Sequence, residues 1–368
     1  MEKIGMSRRR FMKVGLSFAA GASLNMQVLP PAVFDKKRIA VSRTSLKQLV
    51  AIPTTCLQCP AGCGIIAYLN EGQLIQILGN PGHPNNKGGI CVKGLGGINL
   101  VNDPERLLFP LKRTGPRGNN QWTRITWDEA YLMLASRLNL LIKKGRTSEL
   151  VIDMGRSDPL LARFIHAIGE ATVINRPLGK DLNRSRAFTA MTGHASLIPD
   201  VERSRFILNF GANPFANHEY FIGFANRLVR ARIERGAKLV TFDVRMSETA
   251  AKSDKWYPLK SGTDGSVALA MAQVIVNRGM FDQKFLVQNT KISVSSLRDH
   301  LSRYTPAWAE SVSGIRSEEI ERLAMDFVTQ KPSLALIGGG ATDHENGHQN
   351  AKCISLLNWL VGNLEKEG

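Results

Sequence analysis

The chain has 368 residues, 43% of them hydrophobic and 21% charged, and a net charge of +17. That balance belongs to a folded globular protein with room for two or three domains, not to a disordered one. Beyond residue 30 no apolar run approaches the ~20 residues of a membrane-spanning helix, and no Lys/Arg block interleaved with aromatics marks a nucleic-acid binder.

The chain begins with Ser7-Arg8-Arg9-Arg10-Phe11-Met12-Lys13 and a modest apolar stretch, 14–24, rich in Gly, Ala and Ser. This has the form of a twin-arginine export signal, a receptor-read address and not an anchor. Residues 1–32 are assigned to the signal and the polar, basic 33–48 to a linker. Such export carries folded proteins to the periplasm, so a cofactor can be inserted beforehand.

Four of the five cysteines follow: Cys56, Cys59 and Cys63 as C-x2-C-x3-C, then 27 residues, then Cys91. A tight loop that offers three thiolates, with the fourth on a returning segment, suits the corners of a 4Fe–4S cubane. A structural zinc site is the alternative. Zinc sites more often pair two C-x2-C knuckles, and the second knuckle is missing. Segments 64–67 and 73–78 have strand character, with Asn70-Glu71-Gly72 as the turn between them. The stretch 79–89, with two prolines and four glycines, is a loop that returns Cys91 to the cluster. Residues 100–118, punctuated by Pro104, Pro110 and Pro116, read as an irregular crossing between domains.

From Thr126 the pattern changes. Thr126 caps a helix to about residue 143, with Glu129 as its capping-box partner. Strands are expected at 149–154, 171–175, 206–210, 238–243 and 334–337, and helices at 158–168, 181–191, 220–234, 267–277 and 350–360. This alternation predicts α/β architecture with doubly wound parallel sheets. Cys353 falls on the apolar face of the last helix and reads as core.

Several strand ends carry ligand-type residues. Gly211-Ala212-Asn213-Pro214 follows one strand, Asp243 ends the next with Arg245 two residues on, and Gly262-Thr263-Asp264 precedes a helix. Open α/β sheets bind nucleotide-like ligands at such places, and an acidic strand end commonly accepts from a ribose hydroxyl. Each feature alone has a plainer reading: a glycine turn, or an aspartate cap. His218, His344 and His348 lie near these loops and read as structural or exposed.

The cysteine motif, CVKG, LVNDPERLLFPLKRTGPRG, Trp127-Asp128-Glu129-Ala130, FGANP, FDVR, SGTDGS and LLNWLVGNLEKEG occur in that order. Together they resemble the catalytic subunits of molybdopterin oxidoreductases of the dimethyl-sulfoxide-reductase superfamily, most of all thiosulfate and polysulfide reductases. The resemblance implies a small N-terminal iron–sulfur domain, 49–110, followed by Rossmann-like domains. The first part of domain II would occupy 111–185, a pterin-dinucleotide-binding domain III 186–330, and a truncated return into domain II 331–368.

It also implies a 4Fe–4S cluster on Cys56, Cys59, Cys63 and Cys91, and a molybdenum or tungsten bis-molybdopterin guanine dinucleotide. Lys93 matches the basic residue between cluster and pterin, an electron relay; a solvated surface lysine is the alternative. Gly211, Asn213, Asp243, Arg245, Gly262 and Asp264 fall where the family contacts one guanine dinucleotide. Lys180 stands at the metal-ligand position, and a protonated lysine is a poor ligand. Its neighbour Asp181 is the candidate ligand, or equally a helix N-cap. The implied reaction is reduction of an inorganic sulfur compound of the thiosulfate, polysulfide or tetrathionate type. The implied partners are a ferredoxin-like iron–sulfur subunit and a quinone-linked membrane subunit. Family chains continue past the point matched by GNLEKEG, so the expectation is a second polypeptide that supplies the C-terminal half, a fragment of a longer chain, or a degenerate gene product. The alternative is a non-catalytic electron-transfer or scaffold subunit that keeps the cluster without a metal site.

Overall fold

The structure, a computed structural model, describes residues 49–154, 158–175, 182–218 and 220–367. The expected signal and linker, and Lys180 with Asp181, lie outside these residues.

The N-terminal unit is an antiparallel sheet in the order β1 (Leu49–Thr55), β2 (Gly64–Asn70), β3 (Gln73–Gly79). The β2–β3 turn forms where expected. Glu71 and Gly72 both have positive φ, 51° and 80°, the geometry of a primed hairpin turn. Strand β1 was not among the expected strands; Pro53 lies within it, and an edge strand tolerates proline. Two short helices, α1 (Val92–Leu95) and α2 (Gly97–Val101), follow the returning loop. The crossing segment is less irregular than its prolines suggest: β4 (Leu111–Arg113) pairs with β5 (Trp122–Arg124) as a hairpin.

Helix α3 (Trp127–Lys143) starts at the expected cap, where the Glu129 N–H donates to Thr126 Oγ1 at 3.1 Å. The Glu129 carboxylate binds Lys112 Nζ at 3.1 Å. Strand β6 (Val151–Met154), helix α4 (Pro159–Ile168) and strand β7 (Thr172–Asn175) make one parallel β-α-β unit, with Asp158 capping α4. No residue of α3 or α4 is buried.

The remaining described chain builds the main core. Helix α5 (Leu182–Thr192) leads to β8 (Phe206–Phe210), α6 (Phe221–Arg235), β9 (Lys238–Phe242), β10 (Lys255–Tyr257) and α7 (Asp264–Asn277). Four helices unassigned from sequence come next: α8 (Gln283–Asn289), α9 (Val294–Leu301), α10 (Pro306–Ser313) and α11 (Ser317–Thr329). Asp282, Ser293 and Thr305 cap the first three through their side chains. Strand β11 (Ser333–Ile337), helix α12 (Gly339–Thr342) and helix α13 (Gly347–Val361) complete the unit.

Its sheet is fully parallel, in the order β10-β9-β8-β11. Phe206, Leu208, Phe210, Val240 and Phe242 pack on one face against residues of α7, α10, α11 and α13. Ile207, Leu239 and Leu336 pack on the other face with Phe224 and Leu228 of α6. Burial on both faces explains why these strands read as continuous apolar runs. Phe210 and Phe242 stack with ring centroids 4.5 Å apart.

One expected boundary is corrected. The stretch 331–368, expected to return to the sheet of 111–185, pairs through β11 with β8. Its helix α13 packs in the same core as α7 and Ala187 of α5. An apolar parallel strand followed by a helix fits either sheet by pattern, and register with β8 decides.

The outer edge of β11 is closed by side chains. Ala335 N–H donates to Asn358 Oδ1 at 2.8 Å, and Asn358 Nδ2 donates back to Ala335 O at 2.9 Å. Asn363 Nδ2 donates to Ser333 O at 2.6 Å and Arg184 Nη1 to Ile337 O at 3.3 Å. These groups take the place of another strand, so the edge presents few open backbone partners.

Candidate cluster and nucleotide sites

The four cysteines come together at the root of the β2–β3 hairpin. Cys56 follows β1 and Cys63 precedes β2, and Cys56 N–H donates to Cys63 O at 2.8 Å, closing the loop that carries Cys59. The returning loop is anchored by Asn86, a buried side chain that mimics a strand. Its Oδ1 accepts from Gly64 N at 2.9 Å, and its Nδ2 donates to Gly64 O at 3.0 Å and Gly89 O at 2.6 Å. Gly64 has to be glycine, since a Cβ there would stand 2.4 Å from His83 Cγ. The loop then delivers Cys91 to the start of α1. Burial raises the pKa of the Cys63 thiol above its ordinary value, and the charges of Cys59, Cys56 and Cys91 raise it further. An iron–sulfur core is positively charged and would hold the four cysteines as thiolates. Among the described residues, no three His, Cys, Asp or Glu side chains gather as a single-ion site. Four cysteine thiolates suit the corners of a 4Fe–4S cluster.

The cluster loop is clamped to the main core. A Cβ on Gly89 would lie 2.6 Å from Ile222 Cγ2, and one on Gly223 would lie 2.5 Å from Asn85 O. Arg227 Nη2 donates to Asn85 Oδ1 at 3.0 Å. Backbone therefore meets the first turns of α6 directly, and the cysteine loop has a fixed seat on the parallel-sheet unit. Lys93 sits exposed in the α1 turn beside Cys91, and its carbonyl accepts from Gln58 Nε2 at 2.7 Å.

Five of the six residues expected at the nucleotide lie in loops at the carboxyl ends of the parallel strands, and the sixth, Asp264, opens the helix that follows β10. Strand order runs from β8 outward to β9 and β10, then reverses to β11, so the switch point falls between β8 and β11. There the two strand ends touch. Gly211 has φ +66°, and a Cβ on it would stand 2.5 Å from Ala341 N; one on Gly338 would stand 2.2 Å from Ala212 Cα. Gly340 N–H donates to Gly211 O at 3.0 Å. Asn213 is committed to bracing the next loop: its Oδ1 accepts from Thr249 Oγ1 at 2.7 Å and its Nδ2 donates to Glu248 Oε2 at 2.8 Å. Asp243 accepts from Ser247 Oγ at 2.7 Å, and Arg245 beyond it is exposed. Gly262, φ +78°, leads to Asp264, which is buried at the start of α7. Burial raises the Asp264 carboxyl to about 7, the nearby Asp243 charge adds to the rise, and His344 opposes it. Beside the switch point a cavity of about 560 Å³ runs along β11, lined among others by Arg184, Phe188, Tyr220, Arg227 and Leu336.

Comparison with known proteins matches residues 50–103 to the molybdopterin oxidoreductase Fe4S4 domain and 106–368 to the molybdopterin oxidoreductase domain. The chain belongs to the molybdopterin oxidoreductase family. It is 30% identical over 372 residues to the thiosulfate reductase molybdopterin-containing subunit PhsA of Salmonella typhimurium, covering 99% of this chain and 47% of that one. It is 26% identical to the dimethyl sulfoxide reductase DmsA of Haemophilus influenzae, covering 99% and 50%. Among solved structures, acetylene hydratase from Pelobacter acetylenicus superposes with a TM-score of 0.72 at 26% identity, covering 85% of this chain and 44% of that one. The chain spans about half the length of the curated relatives it matches.

The two matched domains of a molybdopterin oxidoreductase carry a 4Fe–4S cluster and a molybdopterin. The residues present fit both. Cys56, Cys59, Cys63 and Cys91 would hold the cluster. At the strand ends, Asp243 and the buried Asp264 carboxyl would be the acceptors for a ribose hydroxyl and a base edge. Sequence reading did not single out the side chains that brace these loops: Asn86 at the cysteines, and Asn346 and Asn350 at the strand ends. His218 is structural as expected: it stacks on Phe224 at 4.2 Å and its Nδ1 accepts from Tyr220 N at 3.1 Å. Cys353 packs against the core, and burial pushes its thiol up to about 11.

Proposed function

We propose that this chain is the electron-entry and pterin-nucleotide part of a periplasmic molybdopterin-dependent reductase of an inorganic sulfur compound, of the thiosulfate, polysulfide or tetrathionate type. The observation that carries the reading is the seat of the cysteine loop on α6, which joins the four cysteines to the unit whose strand ends form the proposed nucleotide site. The likeness to PhsA over 99% of the chain supports the sulfur-compound class. When bound, the cluster supplies one-electron transfer and the bis-pterin molybdenum or tungsten centre supplies two-electron chemistry. The chain's own residues do the holding. Four thiolates fix the cluster, Lys93 keeps a cation beside Cys91, and Asp243, Arg245 and Asp264 orient the nucleotide. Asp181 is the proposed metal ligand.

The arginine run at residues 8–10 supports export by the twin-arginine route before assembly with a ferredoxin-like iron–sulfur subunit and a quinone-linked membrane subunit. The exposed apolar side chains of α3 and α4, Leu132, Leu134, Leu160 and Phe164 among them, support a covering surface outside the described residues, supplied by further chain or by a second polypeptide. A second reading rests on Lys180 at the ligand position: an electron-transfer subunit that holds the cluster alone. Metal analysis of the purified chain separates the two. Molybdenum or tungsten with about four irons supports the first, and about four irons alone supports the second. Zinc alone overturns both, and Cys63→Ala is expected to abolish the iron content.

A further inference from the structure

Asn350, in the first turn of α13 and 4% exposed, uses one amide to tie together two loops at the strand ends. Its Oδ1 accepts from Gly265 N at 3.2 Å. Its Nδ2 donates to Gly262 O at 3.2 Å and to Ala341 O at 3.0 Å. Asn346 reinforces the tie, with its Nδ2 donating to Gly262 O at 2.9 Å. The approach is close enough that a Cβ on Gly265 would stand 2.6 Å from Asn350 Oδ1. A buried amide is costly unless its donors and acceptor are engaged, and here both are.

The bonds bracket Asp264. Gly262, two residues before it, and Gly265, directly after it, are both held by the same side chain, and Ala341 links that point to the glycine loop after β11. A carboxylate that reads a base must stand in one place. It can then accept from both N–H groups on the Watson–Crick edge of guanine, a pattern adenine does not offer and hypoxanthine offers only in part. We propose that Asn350 is a positioning residue that sets where the Asp264 carboxylate stands against a guanine base, and with it the preference for guanine over other purines. The inference rests on the reading of these strand ends as the nucleotide site.

The test uses the full chain and three probes, GDP, IDP and ADP, with affinities measured by calorimetric titration. The wild-type chain is expected to prefer GDP to IDP by ~10-fold, because IDP lacks the 2-amino donor, and to prefer GDP to ADP by more. In Asn350→Ala the GDP/IDP ratio falls towards one. Gly265→Ala, which pushes on the same contact from the other side, gives the same collapse and serves if the first variant does not fold. Loosened packing would weaken GDP and IDP alike and leave their ratio unchanged. A folded variant with the wild-type ratio therefore overturns the assignment to Asn350. A wild-type chain that does not distinguish GDP from ADP overturns the reading of the site, and the assignment with it.

Discussion

All five residues of β8 are buried, whereas α3 buries none of its seventeen although apolar residues recur along it. Leu208 in the strand is fully covered; Leu132 in the helix is 69% exposed. Both segments demand cover, but only the first finds it among the described residues, between β9 and β11 with helices on each face. Apolar pattern states what a segment needs and is silent about which polypeptide provides it. The contrast predicts unequal costs. Phe242→Ala, which removes a ring stacked between Phe210 and Tyr257, is expected to cost roughly 3–5 kcal/mol in urea unfolding of the sheet unit. Amide exchange in α3 should be unmoved. If α3 loses protection together with β8, the two regions fold as one and the contrast fails.

The next effect falls within the packed region, where function and stability pull apart. Asp264 has a folded-state pKa of about 7 against an ordinary 3.8, and burial is the main cause. The folded state therefore holds its proton where the unfolded state has lost it. Stability is complete below the unfolded value, falls as pH rises from about 4, and levels off above about 7. Asp264→Asn should melt near the wild type at pH 4 and above it at pH 8, by up to about 4 kcal/mol at 1.36 kcal/mol per pKa unit. Parallel melting curves across that range would place the carboxyl in solvent. A destabilising buried acid kept at the strand ends is the pattern of a binding group retained for its ligand.

These details divide along a physical line. Turns, caps and strand runs depend on neighbours in sequence, so Glu71-Gly72, Thr126 and Phe206–Phe210 were legible. So were the cysteines, whose spacing is itself the ligand pattern. Pairing partners are not local: β11 fitted two sheets until register with β8 chose one. The asparagines were invisible for the same reason. Asn86, Asn350 and Asn358 sit in ordinary loop or helix sequence, and each acts on backbone 22 or more residues away. Asn213 was singled out for a ligand, and in the structure its amide braces Thr249 and Glu248, a contact its sequence position did not show.

Asn358 offers a smaller break in the comparison, because it limits the packed region at its edge. Asn358→Ala leaves Ala335 N–H and C=O without their side-chain partner, at an expected cost of ~1–3 kcal/mol. Amide exchange at Ala335 should rise while that at Leu208, inside the sheet, holds. Concentration-dependent self-association of the variant would show the bare edge recruiting a strand. Unchanged exchange at Ala335 would mean that the edge is protected by something other than these amides.

The smallest effect on the chain alone is expected from Leu132→Ala, less than ~0.5 kcal/mol in urea unfolding, since an exposed leucine loses little when trimmed. In the presence of a polypeptide that carries the cover proposed for α3, the same substitution removes a buried anchor and should weaken association by ~10-fold or more. The two measurements together decide the meaning of the bare helix. A cost that appears only in the complex makes α3 an interface awaiting its partner. A cost of the same size in both settings would put its cover inside this chain. No cost in either would make its apolar face a solvated surface, and the difference between β8 and α3 would then reflect composition alone.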